Sequence, residues 1–203
     1  MGFTKSKVDS NLYYKVVEDE GPVILLLYVD DLFLIGEEKL IVEYKKKLAT
    51  EFEMKDLRQM HYSLGLEVWR NPKIFLSQGK YAVETLQRFG MMDCKPMATL
   101  MTTNLKLLHD ASSEIADATL FQRMIGSLMY LTNTRPDICF AVNTLSQYMT
   151  QPRQVHIIAT KHVMRYLKGT IEYGLWFSAN YEFKLQGFID SDWDGNVKDR
   201  KSK

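Results

Sequence analysis

Two apolar runs separated by three residues constrain this chain more than any other feature. Val23 to Tyr28 and Leu32 to Ile35 leave only Val29, Asp30 and Asp31 between them, and Gly36 stops the second run. Runs this short and apolar read as strands, and so brief a spacer demands a tight hairpin. Two adjacent carboxylates then sit at its tip, on strands too constrained to let them drift. Hard divalent cations prefer carboxylate oxygens in a fixed geometry, which makes the pair a candidate metal site. The competing reading is an ordinary surface turn, where aspartate is common, and adjacency alone leaves both open.

The first part of the chain reads as β-rich. Asn11 to Val17 forms a strand, and Glu18-Asp19-Glu20-Gly21-Pro22 is dense in turn formers. Leu40, Tyr44, Leu48 and Phe52, four residues apart, make one face of an amphipathic helix that would cover the hairpin sheet. The runs Tyr62 to Trp69 and Ile74 to Leu76 flank Asn71-Pro72-Lys73 and read as a second hairpin. Tyr81 to Phe89 is helical and closed by Gly90.

Three further helices follow. Phe121, Ile125, Leu128 and Leu131 form one apolar stripe after Asp117. Arg135-Pro136-Asp137 places proline where a second helix can start, carrying Ile138, Val142, Leu145 and Met149 until Pro152 ends it. The third, roughly Val155 to Lys168, puts Val155, Ile158, Ala159, Val163 and Leu167 on or near one side and stops at Gly169. The period then changes: Leu175 to Phe177 and Phe183 to Ile189 read as strands that can pair across the turn Ala179-Asn180-Tyr181.

With 46% hydrophobic and 12% aromatic residues, the 203-residue chain can bury a real core and is not a disordered composition. A net charge of +1 neither demands nor excludes a polyanionic partner, so local patches must decide. The third helix carries one such patch, Lys161, Arg165 and Lys168 beside His162. These could track nucleic-acid phosphates, or simply form the solvated face that any surface helix needs; three charges are few for an electrostatic footprint. Cys94 and Cys139 lie far apart and outside any CxxC spacing, so neither a disulfide framework nor a zinc site is indicated and a reducing, intracellular setting fits, with nucleus and cytoplasm undistinguished. No apolar run approaches the roughly 18 residues that span a bilayer, so no membrane partner is expected.

Tyr28-Val29-Asp30-Asp31 between apolar strands resembles the palm motif of reverse transcriptases, and the flanking text resembles a copia-type retrotransposon Pol polyprotein. The matching stretches, in the family's order and spacing, are LLLYVDDLFLIG, EFEMKDL, LGLEV, FLSQGKYAVETLQRFGM, DCKPM, GSLMYLTNTRPDICFAVNTLSQYM, RYLKGTIEYGL and DSDWDG. The resemblance implies an α+β fold: the C-terminal part of a palm with antiparallel hairpins and a packing helix (1–76), a helical thumb (77–170) and the start of an RNase H domain (171–203). It implies RNA-directed DNA polymerase and RNase H chemistry. Asp30 would bind catalytic magnesium, or manganese, with Asp31 at the same metal site; Tyr28 would lie near the primer end, and Leu64-Gly65 would form the primer grip. Lys161, Arg165 and Lys168 would face the primer-template, an RNA–DNA hybrid or DNA duplex, and the rest of the Pol polyprotein would be a partner. Asp190 would be the first carboxylate of the RNase H metal site.

In the family a further palm aspartate and the finger residues precede the position of Met1, and the other RNase H acids lie beyond the position of Lys203. The expectation is therefore a fragment inactive alone, the alternative a non-catalytic retroelement relic or a weak nucleic-acid-binding domain. The sequence departs from the family pattern at Ser63, commonly aromatic, at Arg58, often glycine, and at Leu100, often proline. Asp190-x-Asp192-x-Asp194-Gly195 also copies the opening of a calcium loop, but Lys201 stands where that loop needs glutamate.

Overall fold

Among the described residues, strand alternation builds two four-stranded antiparallel sheets, and helical stripes supply five helices, an α+β architecture. The structure, a computed structural model, describes residues 1–71, 73–100 and 114–178. The expected strand Phe183 to Ile189, its turn, Asp190 and the acidic cluster after it lie outside the described residues. The chain divides into two compact units, Met1–Gln59 and Met60–Lys203.

In the first unit, β1 (Thr4–Lys5), β2 (Leu12–Val17), β3 (Gly21–Tyr28) and β4 (Asp31–Ile35) lie in sequence order, each antiparallel to the next. Helix α1 (Glu38–Glu51) buries Leu40, Tyr44 and Leu48. Leu40 and Tyr44 meet Val23, with Phe3, Val17 and Leu34 packed around them. The fourth residue of the expected stripe, Phe52, is instead the C-cap of α1 and 56% exposed, because the helix ends one residue before it. Asp56 then fixes the exit, accepting from Lys45 Nζ at 3.0 Å and from the Arg58 amide at 2.8 Å.

The second unit opens on β5 (Tyr62–Ser63), β6 (Leu66–Asn71) and β7 (Lys73–Ser77), then α2 (Gly79–Arg88). The run read as one strand from Tyr62 to Trp69 is thus folded back on itself at Leu64-Gly65. Helices α3 (Ala118–Leu131), α4 (Pro136–Ser146) and α5 (Gln154–Gly169) follow. Asp117 caps α3 by accepting from the Leu120 amide at 3.1 Å, and Pro136 opens α4 as expected, where its missing N–H costs nothing. Phe121, Ile125, Leu128, Ile138, Val142, Leu145, Val163 and Leu167 make the common core with Leu86 of α2. Ile158 is not part of it: it is 66% exposed, and His156, Ile157, Thr160 and Met164 turn inward with Ala159, Val163 and Leu167.

Strand β8 (Gly174–Phe177) has a partner that the sequence did not suggest. It lies antiparallel to β7, with Ile74 opposite Phe177 and Ser77 opposite Gly174, and so joins the sheet begun by β5; the expected pairing with Phe183 to Ile189 lies outside the described residues. Glycine is required at 174, because a Cβ there would collide with the Leu76 carbonyl oxygen and the Phe75 ring.

Candidate functional site

The β3–β4 hairpin pairs Leu25 with Leu34, Leu27 with Leu32 and Tyr28 with Asp31, leaving Val29 and Asp30 as a two-residue loop. Val29 has φ of 52°, while Asp30 keeps a negative φ, the pattern of a type II′ turn. A β-branched residue in the left-handed region is strained, and 87% exposure of Val29 means that no packing compensates it. Strand alternation puts Val23, Leu25 and Leu34 on one face, toward α1, and Tyr28 and Asp31 on the opposite one. Asp30 and Asp31 are both exposed, as is Tyr28, and no lysine or arginine among the described residues pairs with either carboxylate.

In the second unit, Leu64 and Gly65 form the loop of the β5–β6 hairpin, with Ser63 opposite Leu66. Both have positive φ, 50° and 76°, which defines a type I′ turn. The Tyr130 hydroxyl of α3 donates to the Leu64 carbonyl, and Tyr130 stands edge-on to Tyr81 of α2 with centroids 4.9 Å apart. A side chain at 65 would meet the Tyr130 ring at 3.3 Å. The turn is thereby held in place by two helices, and the Leu64 side chain is left exposed.

The basic stripe on α5 does not present three equivalent cations. Lys161 is exposed, but Arg165 donates through Nε to the Lys95 carbonyl at 2.7 Å, and its own carbonyl accepts from the Met97 amide at 3.2 Å. His162 Nε2 lies 2.9 Å from the Thr99 carbonyl. Two of the four basic side chains thus strap the segment after α2 onto α5. Lys168 is half-buried in the last turn, where a cation complements the helix dipole.

Sequence reading missed the polar centre of this unit. Arg135, 2% exposed, donates to both Asp137 oxygens at 2.9 and 2.7 Å and to the Thr170 carbonyl and hydroxyl at 2.9 and 2.7 Å, tying the start of α4 to the end of α5. The Tyr166 hydroxyl donates to Asp137 Oδ2 at 3.1 Å. Burial alone would raise the Asp137 carboxyl, but the Arg135 hydrogen bonds and charge, with the Tyr166 hydroxyl, outweigh it and hold it below the usual carboxylate range. Burial, then the bond to Asp137, raises Tyr166. Gln78, fully buried before α2, turns its amide nitrogen to the Tyr130 and Leu131 carbonyls and so caps α3. Only the charged pair flanking Pro136 hinted at any of this in the sequence.

Comparison with known proteins decides what the hairpin belongs to. A family model described as reverse transcriptase (RNA-dependent DNA polymerase) matches residues 1–103, about half of the chain. A protein called uncharacterized mitochondrial protein AtMg00810, from Arabidopsis thaliana, is 43% identical over 88% of this chain and 75% of its own length. The chain belongs to the reverse transcriptase (RNA-dependent DNA polymerase) family. Its copia-type character is seen in two retrovirus-related Pol polyproteins, from transposon RE2 of Arabidopsis thaliana and transposon TNT 1-94 of Nicotiana tabacum. They are 36% and 35% identical over 98% of this chain, but the chain spans only 14% and 16% of their lengths. No solved structure matches.

The reverse transcriptase match takes in both hairpins and α2. Asp30 and Asp31 suit a magnesium or manganese ion in donor chemistry, being exposed, adjacent carboxylates with no competing cation among the described residues. They are an incomplete set, since no group of three His, Cys, Asp or Glu side chains among the described residues comes together to hold a metal. No described helix is long and apolar enough to cross a membrane.

Proposed function

We propose that this chain is the part of a copia-type Pol polyprotein that carries the metal-binding hairpin of the polymerase palm, the primer grip and the thumb, and runs into the start of RNase H. The observation that carries this reading is the Tyr28–Asp31 pair closing a strained two-residue turn, with both carboxylates exposed and Asp31 on the sheet face away from α1. Asp30 and Asp31 would hold one side of a divalent-metal site, and bound magnesium supplies activation of the primer 3′-hydroxyl and neutralisation of the leaving pyrophosphate. The chain's own residues orient. Tyr28 borders the primer end, and the Leu64–Gly65 backbone, locked by Tyr130, supports the primer strand. Lys161 and Lys168 face the phosphates of an RNA–DNA hybrid or DNA primer-template, and Asp190 would open the RNase H site. The remaining metal ligands come from other parts of the polyprotein, and the setting is intracellular.

A second reading, a non-catalytic relic or weak nucleic-acid-binding domain, draws support from Arg165, which is committed to Lys95, and from Arg58, held at φ of 67° where the family often has glycine. Primer extension on an RNA template with magnesium or manganese separates the two. The chain alone is expected to incorporate no nucleotide, whereas an RE2-type polyprotein carrying this segment in place of its own should incorporate them and lose that activity on Asp30→Asn. A chimera indifferent to Asp30→Asn would sink the catalytic reading.

A further inference from the structure

Three aromatic rings lie side by side across β6, β7 and β8. Trp69 is opposite Phe75 and Phe75 is opposite Trp176, so alternation puts all three on one face of the second sheet. The Phe75 and Trp176 centroids are 4.6 Å apart, and Trp69 and Trp176 are 60% and 65% exposed. The core of this unit does not include them. They border an open hollow of about 340 Å³, which adjoins a second of about 410 Å³ through Glu67, Gly79, Ile171 and Glu172.

The polar lining of this groove is acidic. Glu67 and Glu172 line both hollows and Glu84 the second, while the lysine among the lining residues, Lys80, carries its Nζ 4.9 Å from the Tyr62 ring. Glu67 is only 9% exposed, and the one hydrogen bond described for its carboxylate runs to Oε2 from the Lys80 amide, at 3.1 Å. Glu67 thus borders both hollows with carboxylate lone pairs left for a ligand donor.

We propose that this groove docks an arginine-bearing segment of a protein partner. A guanidinium stacks on indole and phenyl faces, and its planar N–H fork matches carboxylates, so one side chain satisfies both the aromatic row and the Glu67 and Glu172 oxygens. Charge complementarity selects this occupant over single-stranded nucleic acid. Stacked bases would suit the rings equally well, but proteins that bind such strands surround their aromatic residues with cations, and here phosphates would meet three glutamates.

The test is calorimetry on the full chain with an acetylated Gly-Arg-Gly-Arg-Gly amide, the equivalent glutamate peptide and hexauridylate. The arginine peptide should bind and weaken with salt, and the other two should not bind. Glu172→Gln, at an exposed position outside every strand, should raise Kd by about threefold, and Trp176→Ala by roughly tenfold. Should Trp176→Ala fail to fold, Trp69→Ala and Glu172→Gln decide. Absence of arginine-peptide binding at millimolar concentration, binding of hexauridylate in its place, or a Kd unmoved by these substitutions would overturn the proposal.

Discussion

Replacing Asp137 by asparagine leaves size and shape nearly intact but removes the charge that compensates a buried guanidinium. The Arg135 side chain is 3% exposed and Asp137 29% exposed. Breaking a fully buried pair costs about 3–5 kcal/mol. Two discounts apply: solvent reaches Asp137, and Thr170 continues to accept two of the guanidinium hydrogen bonds. A loss of about 2–3 kcal/mol is therefore expected for Asp137→Asn. At 2–4 °C per kcal/mol for a protein of this size, the melting temperature should fall by roughly 5–10 °C. The loss should also depend on pH. The folded state holds the Asp137 pKa below its ordinary value, so its stabilisation is complete above the unfolded pKa of about 3.9 and disappears as pH falls through the folded pKa. Wild type and variant should thus differ most near neutrality and converge below about pH 4. Thermal and urea denaturation followed by circular dichroism at several pH values provides the measurement. A change under about 0.5 kcal/mol, or a gap that stays constant into acid, would refute the reasoning.

Arg58→Gly should stabilise the first unit by about 1 kcal/mol, since glycine adopts φ of 67° without a Cβ penalty; a lower denaturation midpoint would contradict this. Gly174→Ala should detach β8 from β7 and expose Trp176 further, read as faster amide exchange at Leu76 and a red-shifted tryptophan emission. If Lys161 and Lys168 face phosphates, changing both to Gln should cut the salt slope of RNA–DNA hybrid binding by up to about 2 units. Arg165→Gln should act differently, loosening the Lys95–Met97 segment and lowering stability.

Local periodicity and turn chemistry made much of this fold legible. The hairpin at Asp30-Asp31 followed from a spacer too short for anything else, and Leu40, Tyr44 and Leu48 marked the buried face of α1. Pro136 announced a helix start because its physics is local. The failures have a common cause, long-range partners. Nothing near Leu175 says that Leu76 lies opposite, a hundred residues earlier in the chain. Ile158 looked like core by spacing alone, but the neighbouring elements dictate that Thr160 and Met164 turn inward instead. Arg135 reads as a surface cation until Thr170 and Asp137 are seen to surround it. At the candidate site, the two carboxylates were visible and the strain at Val29 was not, because no local rule places a β-branched residue at positive φ. The hold of Tyr130 on Leu64 joins residues 66 positions apart and left no local trace.

The proposal that Asp30 and Asp31 form the metal-binding element of a polymerase can be tested on this chain directly, without the rest of the polyprotein. In amide NMR spectra titrated with manganese, paramagnetic broadening reports even weak binding, and an incomplete ligand set is sufficient for it. Broadening centred on Val29 to Leu32, reversed by excess magnesium and abolished by the double substitution Asp30→Asn, Asp31→Asn, is the expected result. Broadening that survives the double substitution, or that centres elsewhere in the chain, would contradict it.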